Sequence, residues 1–265
     1  MILDEIVAHK EDELRQRRVA VPISTLEARV KAQSAPISFV AALREGRPAL
    51  IAEIKRASPS RGEIVERLDP VKLALIYAEH GANAISVLTD EHFFRGSLAD
   101  LEAVKQALSN ARWEIPVLRK DFILSHYQLL EARAAGADAV LLIASILSDT
   151  LFSSLLAETQ WLGMTALVEV HTEEELARVL AHHPRVIGIN RRDLRDFHIN
   201  PDIFAHLRPL IPPDSLVVAE SGIHSRLDVV KLHRMGADAV LVGEALVGAN
   251  DVGAKVAELC EGGGK

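Results

Sequence analysis

Glu53 and Lys55 close an apolar run, Leu50-Ile51-Ala52, and stand two residues apart. On an extended chain that spacing puts an acid and an ammonium on the same side. A run this apolar reads as a strand buried on both faces, so the pair is expected to face the mouth of something closed. The chain then turns polar and stiff through Ser58-Pro59-Ser60-Arg61-Gly62. Pro59 fixes its own φ and biases Ser58 toward an extended backbone, and Gly62 opens geometries other residues avoid. An acid, a base, hydroxyls and cations in one unit are the groups that proton transfer and anion binding require.

The same kind of ending recurs along the chain. Val117-Leu118 runs into Arg119-Lys120-Asp121-Phe122, and Leu167-Val168 into Glu169-Val170-His171. Gly188-Ile189 runs into Asn190-Arg191-Arg192-Asp193-Leu194, Ala219 into Glu220-Ser221-Gly222, and Leu241-Val242 into Gly243-Glu244. Ser86-Val87-Leu88-Thr89-Asp90 leads to Phe93-Phe94, and only Leu141-Leu142-Ile143 ends apolar. Converging charge costs desolvation unless a ligand uses it, so seven such endings point to a binding or catalytic rim.

A repeated strand–helix unit would place these endings together. Apolar runs predict strands at 49–54, 84–88, 115–119, 138–143, 165–169, 186–189, 216–220 and 239–242. Helical spacing predicts helices at 71–80, 98–108, 125–135, 148–160, 173–181, 201–208, 224–235 and 251–260. Asp69-Pro70, Ser125, Ser148 and Thr172 are helix-start residues. Gly81, Gly136 and Gly236 each precede a short polar turn and a buried strand, as left-handed helix caps do. Eight such units close a parallel sheet on itself, so the fold class is α/β, a (β/α)8 TIM barrel. No Gly-x-Gly-x-x-Gly follows the first strand, which weighs against an open dinucleotide-binding sheet. Residues 1–265 are expected to form a single domain. Within it, 1–48 is a helical extension packed on the barrel, with Ile2, Ile6, Val7 and Leu14 on the inner face of its first helix and Ser38 capping its last.

In such a barrel chemistry sits at the carboxyl ends of the strands, and the loops after strands seven and eight often hold a phosphate on backbone N–H groups. Ser221-Gly222 and Gly243-Glu244 occupy those two loops. For Glu244 the N–H, not the carboxylate, is expected to face the ligand.

Composition agrees. The 265 residues are 49% hydrophobic and only 4% aromatic, the aliphatic mix that buried parallel strands use. A net charge of -7 argues against nucleic acid as a partner. Asp4, Glu5 and Lys10 interrupt any signal-peptide core, and no charge-free window is long enough to span a membrane. The single cysteine, Cys260, allows no internal disulfide. The expectation is a cytoplasmic protein acting on a small molecule, without membrane or nucleic-acid partners, as a monomer or weak homodimer. No His-Glu-x-x-His is present, and His182-His183 read as surface residues, so no metal is expected.

Glu53-Ile54-Lys55-Arg56-Ala57-Ser58-Pro59-Ser60-Arg61-Gly62 resembles the signature of the indole-3-glycerol-phosphate synthase family of tryptophan biosynthesis. The resemblance continues through the endings at 118–122, 167–170, 188–194, 219–223 and 242–244 and spans nearly the whole chain. Arg191 departs from the family's commoner Asn or Ser, and Arg56 and Arg61 stand where Lys is common. The resemblance implies a carboxy-lyase that needs no cofactor. It would close the indole ring of 1-(2-carboxyphenylamino)-1-deoxyribulose 5-phosphate with loss of CO2 and water.

It further implies Lys120 as general acid at the ketone oxygen. Lys55 would hold the carboxylate and serve as the acid in dehydration, and Glu169 would be base or cation stabiliser. Glu53 would pair with the lysines, and Asn190 and Arg192 would hold substrate hydroxyls. Ser58, Ser221, Gly222, Gly243 and Glu244 would lie at the phosphate, and Phe94, Phe122 and Leu141 would form a slot for the aromatic ring. Two rivals remain. Phosphoribosylanthranilate isomerase uses a Cys and an Asp, but Cys260 lies beyond the last strand. A non-catalytic phosphate sensor would be expected to lack one of Lys55, Lys120 or Glu169.

Overall fold

The computed structural model describes residues 2–46, 48–58, 62–63, 68–192 and 198–261. Eight strands form a closed barrel: β1 (Ala49–Ile54), β2 (Ala84–Leu88), β3 (Val117–Lys120), β4 (Ala139–Ile143), β5 (Thr165–Val170), β6 (Val186–Asn190), β7 (Leu216–Glu220) and β8 (Ala239–Val242). Each strand pairs in parallel with its sequence neighbours, and β1 closes the ring against β8 through Ala49↔Ala239 to Ala52↔Val242. The TIM-barrel expectation is therefore met.

Period-two alternation sorts the strand side chains into two separate cores. Ala49, Ile51, Ala84, Leu118, Ala139, Leu141, Ile143, Leu167, Val186, Val218, Ala239 and Leu241 pack together as the barrel filling. Their strand neighbours, among them Leu50, Ala52, Ile85, Val87, Val140, Leu142, Ile187 and Val240, join the layer beneath the helices. The helices α4 (Pro70–Glu79), α5 (Leu98–Asn110), α6 (His126–Ala134), α7 (Asp149–Trp161), α8 (Glu173–Leu180), α9 (Ile203–Leu207), α10 (Arg226–Arg234) and α12 (Val252–Cys260) follow the strands in turn.

Local chemistry sets the ends. Asp69 accepts from the N–H groups of Val71 and Lys72, Ser148 from that of Leu151, and Thr172 from that of Glu175. Gly81, Gly136 and Gly236 have φ of 101°, 90° and 96°, as the repeated helix–Gly–turn joint requires. The third strand begins at Val117, not at 115, because Pro116 has no N–H to give the ladder. The helix expected over 201–208 shortens to Ile203–Leu207 and tightens into a 3-10 turn over Arg208–Leu210, where Pro209 cannot continue the α-helical bonding. Further elements lie outside the expected strands and helices, among them a 3-10 turn over Ala144–Ile146 after β4. Ala57–Ser58 pairs antiparallel with Gly62–Glu63 in the loop after β1, and a short helix, α11 (Glu244–Val247), starts directly after β8.

Three helices precede the barrel: α1 (Ile2–Ala20), α2 (Ile23–Ala32) and α3 (Phe39–Glu45), the last capped by Ser38 through the Ala41 N–H. Phe39, Val40 and Leu43 of α3 belong to the barrel filling. The buried stripe of α1 is Ile6, Lys10 and Leu14, four residues apart. The expected face of Ile2, Ile6, Val7 and Leu14 is corrected at its centre: a lysine occupies it, while Ile2 and Val7 are only half-buried.

Candidate active site

Alternation also decides which residues reach the carboxyl-end rim. Continuing the inward series of each strand gives Glu53 after Ile51, Leu88 after Ser86, Lys120 after Leu118, Ile143 after Leu141 and Glu169 after Leu167. The same step gives Asn190 after Gly188, Glu220 after Val218 and Gly243 after Leu241. All eight line one cavity, together with Lys55, Phe94, Phe122, Leu141, Arg192, Ser221, Gly222 and Glu244. It encloses about 910 Å³, part of it open to solvent. Every residue to which the resemblance gives a site role is in this lining except Ser58, whose side chain lies outside the described residues, as do Pro59, Ser60, Arg61, Asp193 and Leu194.

The two ammonium groups are held differently. Lys55 Nζ lies 3.0 Å from Glu53 Oε1 and 3.9 Å from Glu244 Oε1. Lys120 Nζ lies 3.0 Å from Glu169 Oε2 and 3.3 Å from Glu220 Oε2. Burial alone would pull a proton off Lys120, but Glu169, Glu220 and Glu53 outweigh it and raise its pKa above the usual lysine range.

The two carboxyls beside Lys120 are pushed apart. Burial raises Glu169, but the charges of Lys120 and His171 and a hydrogen bond from Asn190 bring it down to about 2. Burial, reinforced by Glu169, pushes Glu220 up to about 8 despite Lys120. Lys120 and His171 thus favour the charged form of Glu169 while burial favours the neutral form of Glu220, the kind of divergence that separates acid from base roles in one site.

Two glycines make this crowding possible. A Cβ on Gly188 would sit 2.1 Å from Glu220 Oε1, and one on Gly243 would sit 2.5 Å from Glu53 Oε1. The two acids thus lie across the neighbouring strands where only glycine leaves room.

The β6 and β7 ends are tied together. Asn190 Oδ1 accepts from Ser221 Oγ at 2.7 Å and from the Arg192 N–H at 3.0 Å. Arg191, the residue that departs from the family pattern, donates Nε and Nη2 to the Ser221 carbonyl at 3.1 and 2.5 Å. Ser221 and Gly222 follow one another at φ of 65° and 63°, a left-handed pair that is strained for the serine. Arg192 Nη2 lies 3.1 Å from Glu244 Oε1. The Glu244 carboxylate is thus engaged by the Lys55 and Arg192 cations. Phe94 and Phe122 stand 6.0 Å apart, centroid to centroid, on the cavity's apolar side with Leu141.

Glu220 and His171 carry no role in the sequence-based site, although both stand at or next to the inward end of a strand. The step of two from Val218 would have placed Glu220 in the ring. His171 is held 3.4 Å from Glu169 Oε1.

A glutamate–lysine pair, a second lysine between two carboxyls pushed in opposite directions and a left-handed Ser–Gly turn are thus combined on one barrel. The family model described as indole-3-glycerol phosphate synthase matches residues 3–259. The chain belongs to the indole-3-glycerol phosphate synthase family. Curated relatives of that name include those of Roseiflexus sp. (strain RS-1), 49% identical with 99% of this chain and 98% of the relative covered, and of Mycobacteroides abscessus, 47% identical with 99% and 94% covered. That of Dehalococcoides mccartyi (strain CBDB1) is 46% identical with 98% and 100% covered. Membership in this lyase family of tryptophan biosynthesis matches what the motifs implied.

Solved structures share the fold at low identity. Thiamine phosphate pyrophosphorylase from Pyrococcus furiosus aligns with a TM-score of 0.60 at 16% identity, covering 84% of this chain and 96% of that one. 3-Hexulose-6-phosphate synthase aligns with a TM-score of 0.60 at 17% identity, covering 80% and 97%. Among the described residues no helix is long and apolar enough to cross a membrane, and no group of three His, Cys, Asp or Glu is placed to hold a metal ion.

Proposed function

We propose that the chain catalyses the ring closure its family is named for. It would convert 1-(2-carboxyphenylamino)-1-deoxyribulose 5-phosphate to indole-3-glycerol phosphate, CO2 and water, as a single unit with 1–48 packed on the barrel. The observation that carries this reading is Lys120 held between Glu169 and Glu220 in the cavity that Lys55 also lines.

The ring carbon bearing the carboxylate attacks the ketone, and negative charge grows on the ketone oxygen. Lys120 protonates it. A developing alkoxide is far more basic than even a strengthened ammonium, so the transfer runs downhill. Glu220, protonated up to about pH 8 and within 3.3 Å, is placed to return a proton to Lys120.

Lys55, half-buried at the rim, grips the benzoate carboxylate until CO2 departs and then serves as the acid for the leaving hydroxyl. Glu169, ionised beside Lys120, takes the proton that the sugar-derived methylene loses as the hydroxyl departs, or stabilises the cation. Glu53 orients Lys55. Asn190 and Arg192 hold substrate hydroxyls. The phosphate lies on the backbone of Ser221, Gly222, Gly243 and Glu244, with Ser58 joining from the loop after β1, and the aromatic ring enters between Phe94, Phe122 and Leu141. The aromatic amine supplies the electrons, so the reaction as drawn uses no cofactor.

Incubation with the carboxyphenylamino sugar phosphate should give indole fluorescence with one CO2 per turnover. Tight binding without fluorescence would replace the enzyme with the sensor reading. The site is expected to act in the cytoplasm on a free metabolite, and light scattering in dilute solution should read a monomer or a weak homodimer.

A further inference from the structure

Lys10, at the centre of the buried face of α1, is 1% exposed, and its ammonium meets three acids. Nζ lies 2.9 Å from Asp90 Oδ2, 3.0 Å from Asp121 Oδ1 and 2.9 Å from Glu13 Oε2. A buried lysine is costly unless fully paired, and nothing in the barrel's filling requires one there. Its two barrel partners show what it does.

Asp90 Oδ1 accepts from the N–H groups of Phe93 and Phe94 at 2.7 and 3.2 Å. Asp121 Oδ1 accepts from the N–H of Phe122 at 2.8 Å. The cavity's two phenylalanines therefore hang from two carboxylates, one after β2 and one after β3, and the same ammonium clasps both. The clasp is anchored on each side. Asp121 Oδ2 also accepts from Arg119 Nη2 at 2.9 Å and Thr89 Oγ1 at 2.7 Å. On the other side His9 of α1 stacks on His92 with centroids 4.2 Å apart, and His9 and His92 each set their rings edge-on to Phe93 at 5.7 and 4.6 Å.

We infer that Lys10 is a positioning residue for the aromatic slot: through Asp90 and Asp121 it sets the separation of Phe94 and Phe122 and thereby the grip on the ring of the substrate. This rests on the proposed placement of the aromatic ring, but it makes a separate claim, that the first helix holds one end of the site and leaves the phosphate end alone. Lys10 reaches neither the Ser221–Gly222 turn nor α11; its three acid partners are Glu13, Asp90 and Asp121.

The test compares two fragment inhibitors, 2-aminobenzoate for the ring end and inorganic phosphate for the other. Against the unaltered enzyme both should compete with the carboxyphenylamino sugar phosphate; failure of 2-aminobenzoate to compete there would remove the ring placement itself. In Lys10→Met the inhibition constant for 2-aminobenzoate should rise on the order of tenfold, and that for phosphate by less than about twofold. KM should rise more than kcat falls. Lys10→Arg should restore much of the ring-end inhibition, because it keeps the charge that both carboxylates share.

A lysine that merely stabilised the fold would lower the active fraction and leave both constants unchanged. That outcome, or equal weakening of both, overturns the inference. Should Lys10→Met not fold, Asp90→Ala frees the Phe93 and Phe94 N–H groups while Lys10 keeps Asp121 and Glu13. It should shift the ratio of the two constants the same way, and an unchanged ratio would again refute the role.

Discussion

Gly188→Ala tests whether the reach of Glu220 across β6 matters. The new methyl would lie 2.1 Å from Glu220 Oε1 and 3.2 Å from Leu167 Cδ1. An ordinary contact is 3.4 Å or more, so the carboxyl oxygen must withdraw by about 1.3 Å. Glu220 Oε2 is already 3.3 Å from Lys120 Nζ, and a displacement of that size breaks the pair while Glu169 keeps its own. Misplacement of about 1 Å in a catalytic group costs on the order of 100-fold in rate, or about 2.7 kcal/mol of barrier. The fold should feel less. The atom that must move is the end of a flexible side chain, and an alanine restricts the unfolded chain, so the stability change should stay within about 1–2 kcal/mol. The assay is kcat by indole fluorescence, with the melting temperature measured on the same preparation. The double variant Gly188→Ala/Glu220→Gln should be no slower than Glu220→Gln alone, because both changes remove one contact. A Gly188→Ala enzyme within about threefold of the original kcat would sink the argument that Glu220 must lie against Lys120.

The remaining expectations concern the same ring. With Glu220 raised to about 8, kcat should fall as pH rises through about 8, and Glu220→Gln should lose that limb; a limb that survives the substitution belongs to another group. The linkage has a matching sign. A carboxyl raised from 4.5 to about 8 stabilises the fold fully below 4.5 and loses that contribution as pH climbs to 8, so Glu220→Gln should flatten denaturant-midpoint stability across this window. Arg191→Ala removes the two donors on the Ser221 carbonyl. It should raise the inhibition constant of inorganic phosphate about fivefold to tenfold with little change in kcat, and an unchanged constant would free the turn from Arg191. Lys120→Ala should abolish measurable turnover, a loss of at least about 100-fold to 10,000-fold, with ligand binding by calorimetry largely retained. Near-normal turnover would take the acid role away from Lys120.

Most of the barrel was legible because its two signals are local. Apolar runs such as Ala139–Ile143 and glycine joints such as Gly136 are written in consecutive residues. The rim residues were legible for a different reason: charge at the end of an apolar run is anomalous wherever it occurs. What escaped depends on distance through space. Glu220 looked like one more polar strand end, and only its reach past Gly188 to Lys120, 100 residues away in sequence, gives it a role. Lys10 looked like a break in an apolar segment, since its partners Asp90 and Asp121 lie 80 and 111 positions along the chain. Pro116 and Pro209 trimmed two elements by removing single backbone donors, an effect that hydrophobic spacing does not register.

The strand period explains why these residues form a site at all. In a closed barrel each strand has one inward series, and the last member of each series has no further layer above it to pack against. Eight last members therefore share one open ring, whatever lies between them in sequence. Here three of them are glutamates, and two glycines among the inward positions let glutamates on adjacent strands cross toward the lysines. Glu53, Glu169 and Glu244 stand paired against Lys55, Lys120 and Arg192, so the rim's cations are already engaged by carboxylates before an anionic substrate enters. Phosphate and carboxylate arriving in that ring make its protons harder to remove. Substrate should accordingly move the limb near pH 8 upward in kcat relative to kcat/KM, which a rim of fixed charge would not do.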